Sequence, residues 1–461
     1  MKVLWLCNTM LPAVAAILGK EASNKEGWVS GMMKALLEGP YENEVELSVA
    51  CPLSGESMPQ DQDVLSGETP SFSYYVFAED VNHAEKYEEA LEPILKKIVD
   101  RVVPDIVHCF GTEYSHTLAM CRIFSQKDRL LIGLQGLCAL YAEGYYASLP
   151  ERVIHSVTLR DYLRKDSLVQ QREKFVLRGN REREIIRLAG NITGRTDWDR
   201  ESTKEWNPGV RYYHMNEILR SEFYGPVWEM EKCIPHSIFL SQGDYPIKGL
   251  HYMLWALPDI LDKYPDTTLY VAGNSLVNYK TWKQKLKISA YGKYLRRLLK
   301  RDAIEGHVFF LGKLNGEQMR DRYLRSSLFV CPSSVENSPN SLGEAMLLGM
   351  PCVSANVGGI PSIFTGGVDG IAYEGFPMPG VVNASRENGM HGKEAGYSDS
   401  HMDGELEAVS KRLAGAVIEM WSNPDKMKEY CKNARKHAEA THDRERNSRR
   451  LLEIYREIAG L

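Results

Sequence analysis

Short apolar runs that alternate with amphipathic segments most constrain the fold of this 461-residue chain. Six such runs occur in the first half, at 3–7, 45–51, 105–110, 130–135, 192–194 and 210–215. Runs of this length that are apolar on both faces are typical of buried parallel strands. Between them, segment 89–103 places Leu, Ile and Val at helical spacing. The alternation predicts a doubly wound α/β sheet.

The same alternation starts again in the second half of the chain. Five apolar runs, at 237–240, 268–272, 308–311, 328–331 and 352–355, alternate with helical patterns at 250–264, 317–325 and 341–348. Two separate series predict two Rossmann-like domains, one over 1–226 and the other over 227–442. Gly225 and Pro226 interrupt the pattern at the predicted join. In such proteins we expect the ligand between the two halves, at the carboxyl ends of the strands.

Composition excludes several other classes of protein. The 56 basic and 61 acidic side chains give a net charge of −5, which argues against a dedicated nucleic-acid binder. The nine cysteines are scattered and form no C-x-x-C pair, so we expect reduced thiols rather than disulfides or zinc ligands. The first apolar stretch has a strand's length rather than that of a signal peptide. We therefore predict a cytoplasmic location.

Three segments stand out by charge or composition. Segment 151–188 is highly charged with helical spacing, which predicts a solvated helix pair. From Lys283 to Arg301, basic residues alternate with apolar ones. This pattern fits peripheral contact with anionic lipid on the inner face of a membrane, a polyanionic acceptor, or a solvated helix face. Segment 376–405 has no periodicity and is predicted to be a long surface loop.

Segment 331–354 is the most informative part of the chain. A buried strand is predicted to end near Cys331 and a helix to start near Ser341, with Asn340 as its N-cap. Glu344 follows Ser341 at the spacing of a capping box. We expect the backbone N–H groups of Ser341, Leu342 and Gly343 to be free at the positive end of the helix dipole. Such a helix start is a site for an anion such as a diphosphate.

Two carboxylates flank this helix start, with seven residues between them. Glu336 lies on the preceding loop and Glu344 early in the helix. Carboxylates are strong acceptors of hydrogen bonds from hydroxyl groups. Beside a phosphate site, the pair fits recognition of a ribose and a sugar, whereas a capping role remains open for Glu344 alone.

The Glu336-x7-Glu344 pattern resembles the signature of retaining glycosyltransferases of the GT-B fold, in particular family 4. Further segments resemble the same family: 242–249 with Lys248-Gly249, 269–274, 312–323, Gly358-Gly359, and 441–447 before the last helix. The resemblance is strong over 237–375 and weaker over 1–225. Its fold has two Rossmann-like domains facing across a cleft, with a C-terminal helix, here 443–461, that crosses back to complete the first domain.

The resemblance implies transfer of a hexose from a nucleotide diphosphate sugar, expected to be UDP-linked, with retention at the anomeric carbon. A hydroxyl of a carbohydrate or lipid-linked acceptor would receive the sugar, in polysaccharide or glycoconjugate synthesis. No metal or other cofactor is expected, because Lys248 and the helix start would stabilise the leaving diphosphate. By analogy, Glu336 would hold the hydroxyls of the donor sugar and Glu344 those of the ribose.

Several positions depart from the family pattern. Gln242 stands where an arginine is usual, and Arg195 is a candidate to replace that cation, with an ordinary ion pair as the alternative. Gln135 stands where a histidine is common, and His108 ends the neighbouring strand. The predicted catalytic set is therefore Glu336, Lys248, His108 and Gln135. The predicted donor-binding set is Gly27, Arg195, Gln242, Asn274, Asn340, Ser341, Leu342 and Glu344.

Other functions remain open at this stage. Sugar-nucleotide 2-epimerases share the fold and bind the same ligands, but they need an acid/base pair near C2 of the sugar. Gln242 and Gln135 also motivate a third hypothesis, an inactive nucleotide-sugar-binding protein. Two Asp-x-Asp pairs, Asp61 with Asp63 and Asp197 with Asp199, are weak candidates for a metal site.

Overall fold

A computed structural model describes residues 1–20, 27–38, 41, 43–54, 58–59, 62–277, 281–377 and 399–461, without the side chains of 283, 285 and 399–403. The chain divides into two compact units. Unit 1 comprises 1–140, 174–224 and 438–461, and unit 2 comprises 141–173 and 225–437.

Unit 1 contains an eight-stranded sheet with the strand order β3-β4-β2-β1-β5-β6-β7-β8. Its strands are β1 (Lys2–Leu6), β2 (Glu46–Leu53), β3 (Val64–Glu68), β4 (Phe72–Ala78), β5 (Ile106–Phe110), β6 (Leu130–Gly133), β7 (Asn191–Gly194) and β8 (Arg211–His214). All neighbours are parallel except β3 and β4. The six predicted runs all form strands. The hairpin β3–β4 was not predicted, because β3 is half-exposed at the sheet edge and lacks a continuous apolar run.

The first nine helices lie between these strands or follow them in the chain. They are α1 (Pro12–Ile17), α2 (Gly27–Leu37), α3 (Leu91–Val102), α4 (Ser115–Ile123), α5 (Cys138–Glu143), α6 (Glu151–Ile154), α7 (Leu159–Arg164), α8 (Leu168–Leu188) and α9 (Asp197–Trp206). The charged segment 151–188, predicted as a helix pair, therefore forms three helices. Thr158 is the N-cap of α7 and forms a capping box with Asp161, so a new helix begins at this point.

Unit 2 contains a six-stranded, entirely parallel sheet with the order β11-β10-β9-β12-β13-β14. Its strands are β9 (Ile234–Leu240), β10 (Thr268–Ala272), β11 (Val308–Gly312), β12 (Ser326–Cys331), β13 (Cys352–Ala355) and β14 (Ile371–Tyr373). Five of these were predicted, and only the three-residue edge strand β14 was not. The carboxyl ends of β9 and β12, which are direct neighbours, therefore bring the loops after 240 and 331 to the same edge of the sheet.

The remaining helices are α10 (Leu250–Lys263), α11 (Trp282–Lys285), α12 (Ala290–Arg301), α13 (Gly316–Arg325), α14 (Asn340–Leu348), α15 (Asp399–Ser422), α16 (Pro424–Thr441) and α17 (Arg444–Ala459). The basic segment 283–301 is broken between α11 and α12, because Ser289 caps a new helix there. The predicted loop 376–405 falls mostly on 378–398, outside the described residues, and α15 already begins at Asp399.

The last helix packs in unit 1, as the sequence predicted. Leu451 and Ile454 of α17 are buried in the core of that unit. The indole Nε1 of Trp5 on β1 donates a 2.8 Å hydrogen bond to the hydroxyl of Tyr455. The predicted fold class, α/β with two parallel-sheet Rossmann-like domains, is confirmed.

The largest difference from the predicted boundaries is that residues 141–173 belong to unit 2; the other boundaries differ by a few residues. The imidazole of His251 on α10 hydrogen-bonds the carbonyl of Ala147 at 2.7 Å. The hydroxyl of Tyr252 donates to the Ser148 hydroxyl at 3.1 Å. Contacts with distant residues therefore determine where this segment packs, and its own sequence pattern does not record them.

No helix in the described part of the chain is both long enough and apolar enough to cross a bilayer.

Candidate functional site

The loop after β9 carries Lys248 to the edge of the unit 2 sheet. Residues Pro246–Lys248 form a single 3-10 turn that ends at Gly249. Gly249 has a φ of +73°, and a Cβ at this position would lie 1.9 Å from the carbonyl oxygen of Pro332. Only glycine permits this approach. The close packing fixes the Lys248 loop against the loop that follows β12.

Lys248 and Glu336 form the central contact of the site. The Nζ of Lys248 lies 2.5 Å from Oε1 of Glu336, and the Ser333 hydroxyl donates to the same oxygen at 2.9 Å. The Lys248 side chain is 20% exposed and that of Glu336 is 7% exposed. Burial alone would lower the pKa of Lys248, but the Glu336 carboxylate outweighs it, so that the pKa is raised overall. The lysine is therefore cationic at neutral pH.

The backbone of Glu336 is held by the Gly358-Gly359 loop. The N–H of Gly359 donates to the Glu336 carbonyl at 3.0 Å. Gly358 has a φ of +55°, and a Cβ there would lie 2.1 Å from the same carbonyl oxygen. Gly358 is thus required by close packing on the residue that carries the carboxylate.

Helix α14 starts one residue earlier than predicted. Its N-cap is Pro339, which has no side-chain acceptor, and no side chain caps the helix. The prediction of Asn340 as N-cap and of a Ser341–Glu344 capping box was therefore wrong. Pro339 fixes φ at −70°, which places Asn340 inside the first turn.

The free amides at this helix start also differ from the prediction. The N–H groups of Leu342 and Gly343 both donate to the Pro339 carbonyl. Those of Asn340 and Ser341 have no hydrogen-bond partner within the part of the chain that the structure describes. The hydroxyl of Tyr323 donates to the Ser341 carbonyl at 2.9 Å and fixes the first turn. Two adjacent free N–H groups remain available to an anion.

These elements enclose one small cavity. It is lined by Gln242, Lys248, Cys331, Ser333, Glu336 and Ser341, among others. Four predicted site residues, Gln242, Lys248, Glu336 and Ser341, thus meet there. The volume is about 30 Å³, room for a single water molecule. A larger ligand must therefore displace the Lys248–Glu336 contact or widen the cavity.

Two other predicted donor-side residues of unit 2, Asn274 and Glu344, have partners of their own. Asp244 accepts from the backbone N–H of Asn274 at 2.9 Å and from its side-chain amide at 2.8 Å. Burial raises the pKa of Asp244, opposed by these hydrogen bonds. Glu344 is buried on α14.

Tyr141 is a site residue that sequence analysis did not identify. Burial raises the pKa of its phenol. The charge of Glu336 raises this pKa further, whereas the charge of Lys248 opposes the increase. The ring of Tyr245 lies 5.9 Å from Nζ of Lys248. Tyr141 is far from the loop motifs in sequence and no local pattern marks it, so only the packing of 141–173 on unit 2 could reveal its position.

His108 lies in the interior of unit 1. It is fully buried on β5, and its Nδ1 lies 2.8 Å from the hydroxyl of Tyr455. Burial lowers the pKa of His108 to about 3. The imidazole is therefore neutral across the physiological pH range.

Arg195 and Gln135 are brought together in unit 1. The Arg195 guanidinium donates to the Gln135 carbonyl at 3.1 Å and forms a buried ion pair with Glu217. This pairing matches the alternative interpretation of Arg195, because Glu217 already balances its charge. The Gln135 side chain accepts from the amide of Asn8 at 3.4 Å.

Gly27 begins α2 in unit 1. A Cβ at Gly27 would lie 2.5 Å from Cγ of Arg220, so a flexible side chain covers its backbone. The structure therefore places four predicted residues, Gly27, His108, Gln135 and Arg195, in unit 1 and the others in unit 2.

The Asp-x-Asp pairs have structural partners where the structure describes them. Asp61 lies outside the described residues, and Asp63 pairs with Lys97 at 3.2 Å. Asp199 accepts from the Tyr212 hydroxyl at 2.5 Å and completes the capping box of α9. Within the described residues, no group of three or more His, Cys, Asp or Glu side chains has the arrangement of a metal site.

Comparison with known proteins finds a family match over the segment that carries this site. Residues 236–377 match the family model described as glycosyl transferases group 1. The match covers β9 to β14 and includes Lys248, Glu336 and the start of α14. The site thus lies within a segment that has the sequence pattern of a glycosyltransferase family, which supports a transferase enzyme.

Relatives and solved structures extend the comparison. The chain is 24% identical over 212 residues to spore coat protein SA of Bacillus subtilis, covering 45% of each chain. It is 30% identical over 145 residues to an uncharacterized glycosyltransferase of Methanocaldococcus jannaschii, covering 32% of each. The matches thus span less than half the length of these relatives. Sucrose-phosphate synthase from Thermosynechococcus elongatus has the same fold, with a TM-score of 0.62, 13% identity and 99% coverage of both chains.

Proposed function

We propose that the protein is a retaining glycosyltransferase that moves a hexose from a UDP-linked sugar to a hydroxyl of a carbohydrate or lipid-linked acceptor. The observation that carries the proposal is the largely buried Lys248–Glu336 pair beside the free amides of α14, within the segment that matches the family. The Anabaena protein HepE, whose complex with UDP-glucose has been solved, shares the fold at 16% identity and a TM-score of 0.59. That likeness supports UDP as the nucleotide.

The chemistry follows from the charges at this site. Departure of a nucleoside diphosphate develops negative charge on the phosphate oxygens. Lys248 and the N–H groups of Asn340 and Ser341 are preorganised donors for that charge. When the diphosphate engages Lys248, the Glu336 carboxylate is released to accept hydrogen bonds from the hydroxyls of the hexose.

Donor binding tests the first step. We expect UDP-glucose at 100 times its Kd to raise the stability of the full chain by about 2.7 kcal/mol in a thermal-shift titration. GDP-, ADP- and dTDP-sugars serve as the comparison panel. A larger shift with another nucleotide would replace UDP in the proposal, and no shift with any of them would refute it.

Product analysis tests transfer and its stereochemistry. Proton NMR of the reaction should show an anomeric coupling constant in the glycoside that matches the configuration of the donor. Inversion would contradict retention. Conversion of the sugar nucleotide incubated alone into its C2 epimer would favour the epimerase hypothesis, and binding without turnover over an acceptor panel would favour an inactive binder.

A further inference from the structure

Helices α7 and α12 of unit 2 are joined into one surface. The hydroxyl of Thr158, at the start of α7, donates to the Ile288 carbonyl at 2.8 Å. The N–H of Ala290, at the start of α12, donates to the buried carboxylate of Asp161 at 2.8 Å. These two bonds hold the two helices in a fixed relation, so their outer side chains form one defined surface.

The outer face of α12 is strongly cationic. Lys293, Arg296, Arg297 and Lys300 recur at intervals of three and four residues and therefore lie on one side of the helix. The opposite side is buried through Tyr294 and Leu298, among others. As far as the described residues go, none of the four cations pairs with a carboxylate. The face therefore carries unneutralised positive charge.

Large apolar side chains are exposed beside these cations. Leu159, Tyr162 and Leu163 of α7 are 54%, 73% and 71% exposed. Trp282 and Leu286 at α11 are also largely exposed. Leu159, Tyr162 and Leu163 share one face of α7 by their spacing, and an exposed apolar face of this kind marks an interaction site rather than an ordinary solvated face.

One open cavity of about 570 Å³ is lined by the four cations of α12 and by the apolar side chains of Val157, Leu159 and Leu286. We define the α7–α12 surface as the exposed Leu159, Tyr162 and Leu163 of α7 together with the four cations of α12. We propose that this surface docks the protein on a lipid bilayer that contains anionic headgroups. The cations contact phosphate groups while Leu159, Tyr162 and Leu163 enter the interfacial layer.

A bilayer fits this surface better than a soluble polyanion does. A polyanion in water uses the cations alone and gains nothing from exposed leucine and tyrosine. A membrane interface takes both, because it offers negative charge and an apolar layer a few ångströms apart. Charge complementarity and apolar exposure together therefore select the bilayer.

Vesicle co-sedimentation of the full chain tests the proposal. We expect binding to vesicles of phosphatidylcholine with phosphatidylglycerol, weaker binding in high salt, and little binding to phosphatidylcholine alone. Arg297→Gln should lower partitioning about fivefold, the effect of one cation at the surface. The double variant Tyr162→Ser with Leu163→Ser should lower it about tenfold or more.

A matched control uses four exposed lysines of α16. The variant compared with it changes all four cations of α12 to Gln and should lose most of the partitioning. Changing Lys426, Lys428, Lys432 and Lys436 to Gln alters the net charge by the same amount and should leave partitioning nearly unchanged. An equal loss in this control would overturn the α7–α12 surface as the site. Binding that needs the cations but not Tyr162 and Leu163 would indicate a polyanion surface, and a wild-type chain that stays in the supernatant with anionic vesicles would refute docking. The thermal unfolding transition of each variant, compared with that of the wild-type chain, confirms that it is folded.

Discussion

The Nζ of Lys248 lies 2.5 Å from Oε1 of Glu336, although the two residues are 88 positions apart in the chain. The contact joins the loop after β9 to the loop after β12, which leave neighbouring strands at the same edge of the sheet. It places a fixed cation next to the free amides of α14.

Removing either partner should abolish most donor turnover. Lys248→Met and Glu336→Gln should each lower kcat about 10²- to 10³-fold, because each removes a charged group held at the developing diphosphate or the sugar. The measurement is release of UDP from UDP-glucose with acceptor present. Lys263→Met, at an exposed lysine of α10, is the control that should retain the wild-type rate. Wild-type turnover in both site variants would disprove their assignment.

Gly249 should tolerate no side chain. Gly249→Ala should destabilise unit 2 by about 1–3 kcal/mol, because the φ of +73° and the contact with Pro332 both oppose a Cβ. Denaturant unfolding measures the change. Gly415→Ala is the opposite control, since Gly415 lies exposed within α15 with nothing within 4 Å of a built Cβ. That variant should be stabilised by about 0.5–1 kcal/mol. Equal effects at the two positions would contradict the close approach.

The hydroxyl of Tyr323 should matter more than its ring. Tyr323→Phe retains the packing against Phe239 and Phe329 but loses the bond to the Ser341 carbonyl. We expect a loss of about 1 kcal/mol in stability and weaker UDP binding, because the first turn of α14 is no longer fixed. Tyr373→Phe removes a buried hydroxyl that has no partner among the described residues and should be neutral or stabilising. A Tyr323→Phe variant as stable as Tyr373→Phe would refute the role of this bond.

Acidification should destabilise the protein through His108. Its pKa of about 3 in the folded state lies below the usual 6.5, so the unfolded state binds the proton more tightly between these values. Stability is therefore present above pH 6.5 and is lost as the pH falls toward 3. His108→Gln should remove about 2 kcal/mol of the stability difference between pH 7 and pH 5. Unfolding curves at the two pH values measure it, and an unchanged difference would mean that His108 is accessible to protons in the folded state.

Removing one partner of the buried Arg195–Glu217 ion pair should destabilise the protein far more than removing both. Glu217→Gln leaves the Arg195 guanidinium buried without its counter-charge and should cost about 3–5 kcal/mol. The double variant Arg195→Met with Glu217→Gln should recover most of that loss, because no charge remains buried. Thermal unfolding of the single and double variants tests this. A single variant with wild-type stability would show that the Arg195 charge is available for a ligand.

Much of the unit 2 site could be predicted from sequence because its parts are local. Lys248-Gly249, Glu336 and Gly358-Gly359 follow strands that the apolar runs mark clearly, and parallel strands bring their carboxyl ends to one edge. The predicted helix start was wrong by one residue. The sequence pattern predicted the N-cap at Asn340, whereas the N-cap is Pro339, which has no side-chain acceptor to mark it. Tyr141 could not be predicted, because no periodic pattern links it to residues so distant in the chain.

The sequence by itself determined the alternation of strands and helices and the two sheets. These features depend on apolar periodicity and on backbone conformations within a few residues. Only the tertiary structure decided the partners of the charged and polar side chains. It showed Lys248 against Glu336, Arg195 neutralised by Glu217, His108 buried as a neutral base, and residues 141–173 packed in unit 2. The physical reason is that a buried charge or hydroxyl must be satisfied by whatever group the fold brings to it, and distant segments supply that group.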